Sequence, residues 1–197
     1  MGTKSKKTIF ISLFLVIVLV ALDQITKLLA VHFLRGHAPV VIIPDVFELK
    51  YLENQSAAFG MDPISLLHRI FNFEVFNTNP QLFLDVKMIF FIILTVVMIL
   101  VFSFVFLKIP NEKRFVFMDY ILIFFAAGAI GNFIDRVMNN YVIDFFYFKL
   151  INFPIFNVAD IYVTCSAIAV LILGIFYYND ADLDKIFPPK KKKEDNA

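Results

Sequence analysis

Two aspartates without an adjacent basic residue, Asp144 in VIDFF (142–146) and Asp160 in FNVAD (156–160), flank the apolar stretch FFYFKLINFPIFNVA. Two carboxylates held close together in a partly desolvated pocket cannot both ionise; they share one proton and their apparent pKa values separate. The ionised member can then take a proton from water while the protonated member polarises a peptide carbonyl. That chemistry hydrolyses a peptide bond without a covalent enzyme intermediate. The residues for other routes are missing. There is no HExxH, and His32, His37 and His68 do not match ligand spacing, so neither a metal nor another cofactor is expected. No G-x-S-x-G elbow offers a serine nucleophile, and no GxGD stretch is present. The single cysteine, Cys165, excludes an internal disulfide and a CxxC site, and it reads as a small packed hydrophobe.

Further polar residues stand inside or beside apolar runs: Asp23 and Lys27, Asn54, Asn132 with Asp135 and Arg136, and Asn157. A charge at mid-bilayer costs about 2.5–3.5 kcal/mol on insertion scales, so each needs a reason. Local explanations exist. Asp23 and Lys27 are spaced i,i+4 as an ion pair. Asn157 suits an N-cap, with Asp160 three residues on as its capping-box acid. Asp135 has Arg136 beside it, or solvent. Asp119, near the other end of its run, reads as an interfacial residue. Arg136 is a fork of donors suited to substrate carbonyls, and Asn54 and Asn157 are neutral donor–acceptors for an extended peptide.

These residues need elements to carry them, and composition says which solvent those elements meet. Of 197 residues, 60% are hydrophobic, 17% aromatic and only 18% charged, with mean hydropathy +0.79. Soluble domains carry about 25% charged residues, so the bilayer is the expected solvent. The net charge of +1 and the lack of a basic stripe with stacking aromatics give no support for nucleic-acid binding. A spanning helix needs about 20 mostly apolar residues. Four such runs are expected, at about 9–30, 88–107, 115–134 and 158–178. Eleven of the eighteen basic residues fall in segments 1–8, 108–114 and 179–197. The positive-inside rule therefore puts both termini in the cytoplasm and residues 31–86 and 135–157 outside. The chemistry-bearing residues converge on that outer face. VFELKYLE (46–53) alternates Phe47, Leu49 and Tyr51 with Glu48, Lys50 and Glu53, as a half-buried strand does. ISLLHRIFNF (64–73) gathers Leu66, Leu67, Ile70 and Phe71 on one helical face, as in a helix lying among headgroups. The outer loop thus forms a platform over about 40–73. A transporter or proton relay would need polar residues along a whole path, yet the second span offers only Thr95 and Ser103. A non-catalytic binding protein is the other alternative.

Read together, DQITK (23–27), NQSAAF (54–59), GNFIDR (131–136), VIDFF (142–146) and FNVAD (156–160) resemble the motifs of the lipoprotein signal peptidases, the bacterial membrane aspartyl peptidases of the signal peptidase II family. The resemblance covers most of the chain. It implies an all-α polytopic membrane protein with four transmembrane helices, a small extracytoplasmic β-platform and an interfacial amphipathic helix. One peptidase domain would span residues 1–179, followed by a basic cytoplasmic tail at 180–197. By resemblance, Asp144 and Asp160 form the catalytic pair, with Asp23, Lys27, Asn54, Asn132, Arg136 and Asn157 lining or supporting the site and Asp135 as structural support. The implied substrate is a diacylglyceryl-modified prolipoprotein, cut just before its lipidated cysteine at the outer face of the bacterial inner membrane, with membrane lipids as the other partner and no metal or cofactor. The chain departs from the family in having Ser56 where glycine is usual and a longer stretch from Met61 to Asp85.

Overall fold

The computed structural model describes residues 4–56 and 62–188. The end of NQSAAF and the lysine run of the tail lie outside the described residues. The element order is α1 (Lys6–Leu34), β1 (Val40–Ile43), β2 (Phe47–Asn54), α2 (Pro63–Phe71), α3 (Glu74–Thr78), α4 (Pro80–Lys108), α5 (Val116–Asn139), β3 (Val142–Phe148), α6 (Val158–Phe176) and α7 (Asp180–Ile186). Among the described residues, α1, α4, α5 with its leading 3-10 turn, and α6 are long and apolar enough to cross a membrane.

The helices overrun their apolar windows because local signals set their ends. Ser5 caps α1 by accepting from the Thr8 amide at 3.1 Å. Asn79 caps α4 by accepting from Leu82 at 3.1 Å, and Pro80 follows in the first turn, where no amide donor is needed. Asn140, left-handed at φ 63°, closes α5. At 29 residues, α1 and α4 are each about 44 Å long, more than a hydrocarbon core of about 30 Å requires.

Helix α5 is the hub, packed against α1, α4 and α6. Side chains on the outside of the bundle point at lipid rather than at protein: Phe10 is 73% exposed, Leu100 64% and Phe176 81%. Cys165 belongs to this surface. The expectation of a packed cysteine is corrected: its side chain is exposed on α6, because in a bundle this thin the bilayer replaces protein as the apolar surround.

Two buried hydrophobic clusters lie at opposite ends of the bundle, and buried Ile123 and Ala127 of α5 lie between them. At one, Ile109, Phe115, Leu122, Tyr178 and Ile186 form a buried cluster. There α7 is held by Arg114 on Asp182 at 2.8 Å and by Lys185 on Glu112 at 2.8 Å. Asp119 sits near this end of α5 and pairs with Lys4. At the opposite end, Ala30, Leu34, Ile143 and Phe145 join α1 to the sheet.

That sheet is antiparallel in the order β1-β2-β3. The segment following Asp144, read as an apolar loop, starts as strand β3, whose Val142–Phe148 sequence is rich in β-branched and aromatic residues. The alternation expected along β2 holds for Leu49 and Tyr51, which pack on the buried cluster with exposed Lys50 between them, but Glu48 is buried, its carboxylate 2.9 Å from Lys149. Register runs Phe47↔Phe148 and Leu49↔Phe146, then resumes at Leu52↔Asp144 and Asn54↔Val142, three residues of β2 against two of β3. This bulge re-aims the end of β2 and brings Asn54 onto the face that carries Asp144.

Helix α2 begins at Asp62, which accepts from the Ser65 amide at 2.9 Å and pairs with Lys87 of α4 at 2.5 Å. Burial works against ionisation of Asp62, but the bonds from Lys87 and Ser65 outweigh it and hold the carboxyl below its ordinary range. Leu66, Leu67, Ile70 and Phe71 are exposed on this helix. That apolar face suits the headgroup layer.

Candidate functional site

Asp160 lies in the first turn of α6, fixed by a reciprocal cap. Its amide donates to Asn157 Oδ1 at 2.9 Å, and the Asn157 amide donates to Asp160 Oδ2 at 3.2 Å. Asn132 Nδ2, from α5, donates to Asp160 Oδ1 at 2.9 Å. Asp144 is fully buried on β3. Its Oδ2 accepts from Asn54 Nδ2 at 2.7 Å and its Oδ1 from Asn157 Nδ2 at 2.6 Å. Asn157 therefore holds both carboxylates. Its oxygen and backbone amide lock Asp160, and its nitrogen reaches Asp144.

Burial pushes the Asp144 carboxyl up to about 7; the negative charge of Asp160 adds to the shift, while Asn54, Asn157 and Lys27 oppose it. Interaction with the second acid is what makes two carboxylates titrate as a unit.

Behind the pair lies a second polar layer. Lys27, 1% exposed, contacts Asp23 Oδ2, Asp135 Oδ2 and Asn132 Oδ1, each at 2.9 Å. The expected i,i+4 pair is therefore present, but the ammonium serves two more acceptors. Asn132 Oδ1 also accepts from Asn157 Nδ2 at 3.1 Å, which leaves the Asn132 amino group facing Asp160. The Asp23 carboxylate approaches α5 only because residue 131 is glycine; a Cβ there would stand 2.5 Å from Asp23 Oδ2.

Asp135 does not pair with its neighbour Arg136. Adjacent helical residues point about 100° apart, and the two side chains go to different partners. Asp135 meets Lys27, the Ile143 amide at 3.0 Å and Gln24 Nε2 at 3.2 Å. Arg136, 8% exposed, donates through Nη2 to the Ser56 carbonyl at 3.2 Å and lies over the Phe91 ring at 5.1 Å. Its charge acts on Asp160, Asp144 and Asp135, while its buried Nε has no partner among the described residues. Asn54 Oδ1 accepts from the Ser56 amide at 2.8 Å. Asn54 therefore bonds both Asp144 and its own turn.

A cavity of about 200 Å³ opens beside Asp160, lined by Asn54, Phe156, Ile161, Thr164 and Cys165 among others. Sequence reasoning missed Gln24, whose Nε2 lies 3.1 Å from both Asp23 Oδ2 and the Gly131 carbonyl. It also missed Phe91. Phe91 stands in an unbroken apolar run that gives no signal, whereas Gln24 interrupts its run within DQITK and sequence reasoning gave it no role.

The sequence and the fold have counterparts. A family model described as signal peptidase (SPase) II matches residues 15–176. The chain is 38% identical over 158 residues to a lipoprotein signal peptidase of Caldanaerobacter subterraneus subsp. tengcongensis, covering 80% of this chain and 90% of that one. It is 35% identical over 161 residues to the lipoprotein signal peptidase of Brevibacillus brevis, covering 81% and 90%. A bacterial membrane enzyme solved in meso at 1.9 Å superposes with TM-score 0.67 at 27% identity over 90% of this chain and 99% of that one. A second, at 2.3 Å, gives TM-score 0.66 at 24% identity over 98% of each, a likeness of fold.

Proposed function

This chain belongs to the signal peptidase II family and is a membrane-embedded protease, and from that premise we propose that it frees prolipoproteins of their signal peptides by means of Asp144 and Asp160. The observation that carries this reading is the Asn157 carboxamide, bonded to Asp144 on one side and to Asp160 on the other.

The pair holds one proton at working pH. The ionised carboxylate takes a proton from water as the water oxygen bonds to the scissile carbonyl carbon. The protonated carboxyl gives its proton to the carbonyl oxygen, and a tetrahedral diol forms. Collapse of the diol breaks the C–N bond: the ionised carboxylate takes a proton from one diol hydroxyl as the protonated carboxyl gives its proton to the departing nitrogen, and the pair is left with one proton again. Each of the four carboxyl oxygens already receives a hydrogen bond from Asn54, Asn132 or Asn157, so both side chains are oriented before substrate arrives. Arg136, a fork of donors that already bonds the Ser56 carbonyl through Nη2, is suited to a carbonyl of the extended peptide. Asn54, Asn132 and Asn157 hold the acids, while Asp23 and Lys27 support them from behind.

The substrate is a precursor whose cysteine after the cut already bears diacylglyceryl. The bond must come to a site at one end of the bundle, at the depth of the lipid surface, and an anchor in the same leaflet would present it there. The exposed apolar face of α2 and the cavity beside Asp160 suit such a substrate. The distribution of basic residues supports a site at the outer face of the bacterial inner membrane, with both termini cytoplasmic.

The test pairs a diacylglyceryl-modified precursor with its unlipidated twin, using the purified full chain and reading the new N-terminus by mass spectrometry. Cleavage directly before the lipidated cysteine, about tenfold or more faster than for the twin, is expected. Equal rates for both forms would contradict the lipid anchor.

A further inference from the structure

The residue before each dyad aspartate is held by its backbone amide. Ala159 N, preceding Asp160, donates to Asp23 Oδ1 at 2.9 Å. Ile143 N, preceding Asp144, donates to Asp135 Oδ2 at 3.0 Å. The two gripping carboxylates come from different helices, α1 and α5, and are 0% and 2% exposed. Both bind the same ammonium, Lys27 Nζ, at 2.9 Å. The third acceptor of that ammonium is Asn132 Oδ1, whose amino group bonds Asp160. Gln24 adds a neutral brace, with Nε2 at 3.1 Å from Asp23 Oδ2 and 3.2 Å from Asp135 Oδ1.

Resting on the function proposed above, we infer that Lys27 is a positioning residue, a yoke that fixes the separation of Asp144 and Asp160 through Asp23 and Asp135 and the two backbone amides they hold. Three observations support this beyond a plain buried ion pair. The ammonium meets three acceptors, each at 2.9 Å: it hydrogen-bonds Asn132 Oδ1 and forms ion pairs with Asp23 and Asp135. Two of those acceptors continue, by one bond, to the backbone amide of the residue before a dyad aspartate, and the third continues, through the Asn132 amino group, to the Asp160 carboxylate. The arrangement is also symmetric. A shift of α1 against α5 would have to move both aspartates or break a buried charge contact, which is strongly disfavoured. Catalytic groups displaced by about 1 Å lose about a hundredfold in rate. A yoke of this kind therefore acts on turnover. The Lys27 charge also acts directly on Asp144, holding its pKa down against burial. The titratable groups around Lys27 are Asp23, Asp135, Asp144 and Asp160. The charge of Arg136 is also felt by Asp160, Asp144 and Asp135.

The experiment measures kcat, KM and their pH profiles for purified wild-type, Lys27→Met and Asp135→Asn proteins on the lipidated precursor, with thermal melting in detergent recorded for each. The expected result is a fall in kcat of about tenfold or more with KM within about twofold of wild type. In Lys27→Met the alkaline limb of kcat moves to higher pH, because the charge opposing Asp144 protonation is gone. Where Lys27→Met does not fold, the near-isosteric Asp135→Asn carries the test through its kcat-against-KM split. Wild-type kcat in a folded variant would overturn the yoke. So would a loss of kcat in Lys27→Met with the limb unmoved, since that marks a merely structural contact. If the yoke variants are inactive while Asp144→Asn retains activity, the dyad reading falls instead, and the two failures are told apart.

Discussion

Asp144 faces two opposing sets of forces. Burial and the charge of Asp160 favour its protonated form, while the carboxamides of Asn54 and Asn157 and the charge of Lys27 favour the carboxylate, and the balance comes to about 7. Under the proposed mechanism, the singly protonated pair survives up to that pH and is lost above it. The rate should therefore fall on an alkaline limb near pH 7. Asp160→Asn removes the second cause of the rise, so in that variant the Asp144 carboxyl should titrate lower, as its carboxylate infrared band would show. A band midpoint unchanged by Asp160→Asn would contradict coupling of the two acids. For stability, a raised carboxyl pKa means the folded protein resists ionisation that the unfolded chain accepts. Its contribution is full below about pH 4 and is lost as pH rises through about 7. The residue types needed here were legible in the sequence: carboxylates and carboxamides at apolar thresholds ask for partners. The partners themselves were not. Asp23 and the Ala159 amide are separated by 136 positions, and Asn54 and Asp144 by 90. Asp135 had a ready cation next door in Arg136, and only helix geometry sends it to Lys27.

At the scale of elements, the site depends on how closely α5 approaches α6. A Cβ on Gly128 would stand 2.5 Å from the Ala159 carbonyl oxygen and 2.8 Å from Val163 Cγ2. The first of these is backbone, which cannot move aside as a flexible side chain can. Gly128→Ala should therefore push α6 away, costing about 1–3 kcal/mol in a melting experiment and lowering kcat through the displaced peptide next to Asp160. Wild-type melting and turnover would show that the helices have slack the geometry denies. The four spans were legible because about 20 apolar residues have few other fates. The amphipathic α2 was legible from its periodicity. Strand β3 was not: its apolar residues do not alternate with polar ones, so the period-2 signal is absent. The bulge after Leu49 was hidden for another reason, since alternation in one strand says nothing about the residue count in its partner.

The whole molecule is a thin bundle with a protein core at each end and lipid along its sides. One end clamps α7 through Asp182 and Lys185. The other seats the sheet on α1 and assembles the dyad from β3 and α6, with supports from α1, β2 and α5. No single element contains the site, so its formation reports the whole fold. The most direct measurement is release of the signal peptide from diacylglyceryl-modified precursor by folded, purified Asp144→Asn and Asp160→Asn proteins. Loss of turnover by about a thousandfold or more in each is expected, because a carboxamide can neither take the proton from water nor return it. Release at near wild-type rate by either variant would contradict the two-carboxylate mechanism.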